Sequence, residues 1–220
     1  MGERTFDHFL NSVALHFLRR FGSRKILILC ASIVPGEIPF KPFYIPMTEI
    51  EILINQTANA YEWTNKLLEA VPFEKWEIIP DTIESNMNWQ VGHLIISHYF
   101  HSIMVIRGHQ TDMLRSLPIK EYSELFTTSA PALSVGKTNA LTLLKDLKII
   151  QQKSLEILGT LSIQDLDNPL EPTPTAHPIA TTKFEAIDWN IKHTMYHCGQ
   201  IGILRRVVDH PYDFGLRLTR

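Results

Sequence analysis

"MTEIEILINQTANAYEWTNKLLEAV", residues 47–71, carries the reading that decides the fold class. Thr48 and Glu51 make a Thr-x-x-Glu capping box, whose side chains satisfy backbone N–H groups that a helix start leaves unpaired. Ile50, Leu53, Ile54, Thr57, Tyr61, Thr64, Leu68 and Val71 then recur at three-and-four spacing, one stripe down a helix of about six turns. The same period returns downstream. In "NMNWQVGHLIISHYFHSIMVIRGHQ", a helix predicted over 86–110, Leu94, Ile95, Ile96, Tyr99, Phe100, Ile103 and Met104 leave so little polar face that it should be the most buried. A third helix, 136–159, sets Ala140, Leu143, Leu147, Ile150, Ser154 and Ile157 on one stripe. A second capping box, Thr182 with Glu185, opens a fourth that runs to Val208. No strand pattern competes, so the expected fold class is all-α, a four-helix bundle. The linkers near 111–135 and 160–181 are long enough for crossover connections. Ser162 and Asp165 cap a short turn in the second, which Pro169, Pro172, Pro174 and Pro178 otherwise keep irregular.

The bundle domain is expected over 47–220, preceded by an N-terminal extension, 1–46, with six Lys/Arg against three Asp/Glu and the Pro-rich ending "VPGEIPFKPFYIP". Because the first capping box follows Met47 directly, the extension reads as a mis-assigned or poorly ordered start. The competing reading is a packed subdomain or targeting segment. The whole chain has 220 residues, 45% hydrophobic and 20% charged, with a formal net charge of −2, the profile of a soluble globular protein. Such a balance gives nucleic acid no basic face to bind. Two dissimilar cysteines, Cys30 and Cys198, suit a reduced, cytoplasmic protein rather than a disulfide-stapled one. The longest apolar run, "ILILCASIVP" at 26–35, is half of the roughly 20 residues a bilayer requires, so no membrane partner is expected.

Ten histidines stand out from this composition. In "HTMYHCGQIGILRR", 193–206, His193 and His197 are four apart and share one helical face, so both rings can address one atom about 2 Å away, as zinc-like ions require. Two ligands make a weak site, and His93 in "NWQVGHLI" is the best third donor. His101 lies about 12 Å further along that helix, and His98 is turned roughly 140° away from His93. His109, His177 and His210 fall near helix ends or in loops and read as solvated. An H-x-x-x-H pair alone is more often two polar core positions than a metal site. Thr194 stands where a zincin would place its general-base glutamate, which excludes that protease type. Cys198 faces about 100° from His197 and reads as packing. Arg205 and Arg206 complement the helix dipole or steer an anionic substrate, while Asn190 and Gln200 are candidates to hold an outer water.

"NWQVGHL" at the head of one helix and "H-x-x-x-H-x-G-Q-I-x-x-L-R-R" in a late one resemble the DinB/YfiT-like superfamily, a group regarded as metal-dependent enzymes. The resemblance spans about Met47 to Leu216 and leaves out the extension. It implies a four-helix bundle with a crossover connection and a histidine triad, His93, His193 and His197, holding a divalent ion. Zinc or nickel comes first by ligand type, with iron and manganese as further candidates. Three neutral imidazoles would leave the ion its full charge and open positions, where water or a thiol would be activated. The expectation is therefore a hydrolase or a thiol-dependent transferase of a small molecule, with a low-molecular-weight thiol as one candidate partner, and the resemblance also implies a homodimer. The alternative is a non-catalytic helical binding or stress protein with a structural metal or none.

Overall fold

The computed structural model describes residues 46–215, so the expected extension lies outside the described residues apart from Pro46. Among these, four long helices build the fold: α1 (Glu49–Leu68), α2 (Met87–Tyr99), α3 (Ala140–Leu158) and α4 (Lys183–Val208). Both predicted capping boxes form, as does the one at Ser162–Asp165. α1 stops short of Val71. Glu69 already leaves helical backbone, Ala70 takes φ 65°, and Pro72 disfavours helix at the residue before it. α3 starts at Ala140, later than the spacing predicts, because Asn139 caps it by accepting the N–H groups of Leu141 and Thr142. The second helix is not uniform. After Tyr99 it makes one π-helical turn, Phe100–Met104, before three last α-helical residues, Val105–Arg107. No strand forms among the described residues beyond an isolated bridge, Pro169 with Thr182.

Cross-helix contacts fix the directions. Tyr61 meets Asn190, Thr64 meets Cys198, and Arg205 reaches the carbonyls of Lys66 and Leu67, so α1 and α4 run parallel. Gln90 pairs with His197 while His98 pairs with Asn190, so α2 opposes α4. Tyr61 with Ser154 and Asn65 with Gln151 set α3 against α1. α2 and α3 therefore share a direction, and 108–139 must travel back along the bundle. That linker is the crossover. The other long linker, 159–182, joins α3 and α4 at one end and crosses nothing, contrary to what its length allowed. Its residues stay near that end: Glu171 N–H bonds the Val105 carbonyl, and the buried Lys183 pairs with Glu171 at 2.9 Å.

Met87, Val91, Leu94 and Ile95 of α2 meet Leu143, Leu147 and Ile150 of α3 and Ile187, Ile201 and Leu204 of α4 in one core. All ten are fully buried, and burying such a side chain stabilises by about 1.5–3 kcal/mol relative to exposure. No helix among the described residues is long and apolar enough to cross a membrane.

Candidate metal centre

The head of α2 is tied down residue by residue. Asn86 caps it by accepting Trp89 N–H at 2.8 Å, and Trp89 Nε1 donates to the Ser129 carbonyl at 3.2 Å. A Cβ added to Gly92 would overlap the Phe126 ring, so only glycine lets the crossover linker approach this closely. The approach has a use: the Phe126 carbonyl lies 2.7 Å from His93 Nδ1 and can only accept, so Nδ1 carries the proton and Nε2 keeps a free lone pair. The Trp89 ring stacks on His93 at 5.0 Å, within 8° of parallel, and fixes the ring plane.

α4 supplies the other two rings. His197 is buried, and its Nδ1 sits 2.6 Å from Gln90 Oε1. Gln90 Nε2 donates onward to Ser85 at 2.8 Å, which holds the amide with its oxygen toward the histidine. His197 Nδ1 is thus the donor, and its Nε2 faces His193 Nε2 at 3.1 Å. Trp189, one turn before His193, stacks on it at 5.8 Å. One ring nitrogen from each of His93, His193 and His197 lies within 4.8 Å of the others. Two ligands of a tetrahedral ion at 2.0–2.1 Å stand about 3.3 Å apart, so the cluster has the donor type and nearly the span such an ion needs. Among the described residues no cysteine or carboxylate joins it.

Burial pushes His197 down to about 2, with the neighbouring His93, His193 and His98 adding to the effect. Burial, then His93, takes His193 down to about 4. Burial also lowers His93, against the Phe126 carbonyl. All three rings are therefore neutral at pH 7, the form that ligates metal without first losing a proton.

The remaining histidines divide. His98 is fully buried, turned away from the triad, and hydrogen-bonded through Nδ1 to Asn190 at 3.1 Å. Asn190 therefore belongs to the core rather than to an outer water, and Gln90, on the opposing helix, serves His197 instead. His109 meets the Tyr99 hydroxyl at 3.0 Å, and His210 meets Arg205 at 3.2 Å. His109 and His210 are nonetheless exposed, as expected, whereas the half-buried His177 pairs with His101 at 2.7 Å and departs from that expectation. His101, in the π-helical turn that follows α2, stands too far along the helix to join His93. Because α4 runs antiparallel, though, His193 falls between them, with ring centroids 5.4 Å from His93 and 5.5 Å from His101. Spacing along one helix does not reveal that meeting. Arg205 is buried at the end of α1, donating to the Lys66 and Leu67 carbonyls, which makes it a cap rather than a guide for anions. Cys198 packs against α1, 3.3 Å from Thr64 Oγ1, and burial raises its thiol.

Comparison with known proteins agrees with this architecture. Residues 56–201 match the DinB superfamily. No curated protein matches the chain. Among solved structures, a conserved protein from Enterococcus faecalis is similar in fold, with a TM-score of 0.56 and 15% identity, over 74% of this chain and 98% of that one. With a match covering most of its length and the helical bundle the superfamily implies, this chain belongs to the DinB superfamily.

Proposed function

We propose that the protein is a metal-dependent enzyme acting on a small molecule, with His93, His193 and His197 holding one divalent ion, zinc or nickel ahead of iron or manganese. One observation carries the reading: in His93 and His197 the second ring nitrogen is committed to a fixed acceptor, which turns both Nε2 lone pairs inward toward His193. Such outer hydrogen bonds orient ligating imidazoles and raise their basicity. Three protein ligands, against the four that close a structural zinc, favour an open, reactive centre over a structural one. When bound, an ion of this kind supplies Lewis acidity to a water or thiol in an open position.

The surrounding residues favour thiol-dependent transfer over hydrolysis. No carboxylate of the described residues joins the triad, and Thr194, where a base would stand, spends its hydroxyl on the Asn190 carbonyl at 2.6 Å. A nucleophile that ionises near neutrality needs such a base less than water does. Trp89 and Trp189 flank the triad with flat apolar faces suited to the body of a small substrate.

Metal analysis of the purified protein tests the centre: about one ion per chain in the wild type and near none in His193→Ala. Equal metal in both would remove it. The reaction class is tested by supplying the metal-loaded protein with low-molecular-weight thiols and electrophiles, beside esters and amides. Turnover that survives stripping of the metal would count against both enzymatic versions.

A further inference from the structure

Two histidines outside the triad form a pair that the reading above does not use. His177 comes from the proline-rich linker before α4. Its Nδ1 accepts two backbone N–H groups, Ile179 at 3.2 Å and Ala180 at 2.8 Å. A nitrogen that accepts carries no proton, so in the neutral ring the proton sits on Nε2. His177 Nε2 lies 2.7 Å from His101 Nδ1, and donation runs from His177 to His101. That leaves the proton of the neutral His101 ring on its own Nε2. The polarity of the chain is therefore set by backbone groups of the linker and passes through two rings to the atom farthest from them.

The pair is held as firmly as the triad. The His177 ring lies 5.4 Å from Phe100 and within 4° of parallel, and it meets His101 edge to face at 4.8 Å. Phe100 and His101 open the π-helical turn that interrupts the second helix, a deviation frequent at functional sites. His101 is 7% exposed, and its Nε2–H has no hydrogen-bond partner among the described residues, yet that nitrogen is not one of the buried unpartnered atoms and so remains open to a guest. The N–H leaves the ring on the side away from His177, and the ring packs against His193.

We propose that His101 is a tautomer-locked hydrogen-bond donor to the guest bound beside His193, and that His177 is the positioning residue that locks it. A neutral N–H of fixed direction suits an anionic or carbonyl-bearing guest and cannot serve as a base. This inference rests on the metal-centre reading, and its test separates the two.

The protein is loaded with cobalt(II), whose visible spectrum reports its ligands, and titrated with azide as a small anionic probe. Cobalt uptake should be equal in wild type and His101→Phe, and azide should bind the variant about tenfold more weakly, the loss of one hydrogen bond to a charged group. Wild-type protein that takes up no cobalt sinks the metal centre itself. Equal uptake with unchanged azide affinity sinks the role of His101 alone. Two-bond 15N–1H spectra of the metal-free protein give a readout independent of any variant's folding. His101 and His177 should both appear as Nε2–H tautomers, and in His177→Ala an Nδ1–H form of His101 should emerge. An Nδ1–H signal from His101 in the wild type overturns the proposal.

Discussion

α2 and α4 build two polar clusters within a few turns of each other, and the two are finished differently. In the inner cluster Asn190 donates to the Tyr61 hydroxyl at 3.1 Å and meets His98 Nδ1 at 3.1 Å, while Tyr61 also pairs with Ser154 at 2.8 Å. One atom there, His98 Nε2, is buried without a partner. In the triad cluster the outer nitrogens of His93 and His197 are held by Phe126 and Gln90, and the inner nitrogens face one another, His197 Nε2 meeting His193 Nε2 at 3.1 Å. A buried polar network satisfied at all but one atom specifies packing, whereas ring nitrogens turned toward a common, partly open point leave room for a ligand. The same residue type on the same helices serves both ends, and the partners decide which.

The largest effect expected is a double separation between the clusters. Asn190→Ala strips a partner from His98 and Tyr61 and opens a small cavity, so it should cost about 2–4 kcal/mol of stability in urea unfolding. Metal affinity should persist in it under native conditions. His193→Ala should do the reverse, abolishing metal binding while moving metal-free stability by less than about 1 kcal/mol, because it removes a desolvated imidazole. Crossed results would mean that the triad is packing and the inner cluster is the site.

Gly92→Ala comes next. Its Cβ would meet the Phe126 ring, and overpacking of that kind costs about 1–3 kcal/mol. Moving Phe126 also moves the carbonyl that orients His93, so metal affinity should drop with stability. A fall in stability alone would show that His93 does not depend on the linker. Gln90→Ala acts only through His197 and should weaken metal by about 10- to 100-fold, by isothermal titration, with little change in unfolding. Unchanged affinity would deny the amide any part in holding the ring.

Much of this was legible in the sequence for physical reasons. Capping boxes are local, so Thr48–Glu51 and Thr182–Glu185 marked helix starts without knowledge of the partners. The stripe from Ala140 to Ile157 marked a buried face because period and burial are the same fact on a helix. His93, His193 and His197 were selected by face and position, and the fold brings them together. What stayed hidden is set by antiparallel register and by carbonyls. Gln90 meets His197 because of how α4 slides past α2. His101 and His177 meet through a linker whose path no period encodes. The Phe126 carbonyl has no side-chain signature, although Gly92 beside His93 was a trace of its approach. The π-helical turn carried no sequence signal at all.

Acid titration separates the clusters by the smallest effect. An unfolded histidine takes its proton near pH 6.5, whereas burial holds His98 to about 3, His193 to about 4 and His197 to about 2 in the fold. Between those values the unfolded chain binds more protons than the native one, so stability rises with pH through this window and is lost as pH falls below about 6.5. Each such ring contributes a slope of at most about 1.4 kcal/mol per pH unit. In the metal-free protein, urea midpoints between pH 7.5 and 5 should therefore fall, and His98→Gln and His193→Ala should each flatten the fall by a similar share. Flattening by His98→Gln alone would mean that the native triad takes up a proton in mild acid. Its lone pairs would then be satisfied by protonation rather than waiting for an ion, and the contrast between the two clusters would reduce to a difference in exposure.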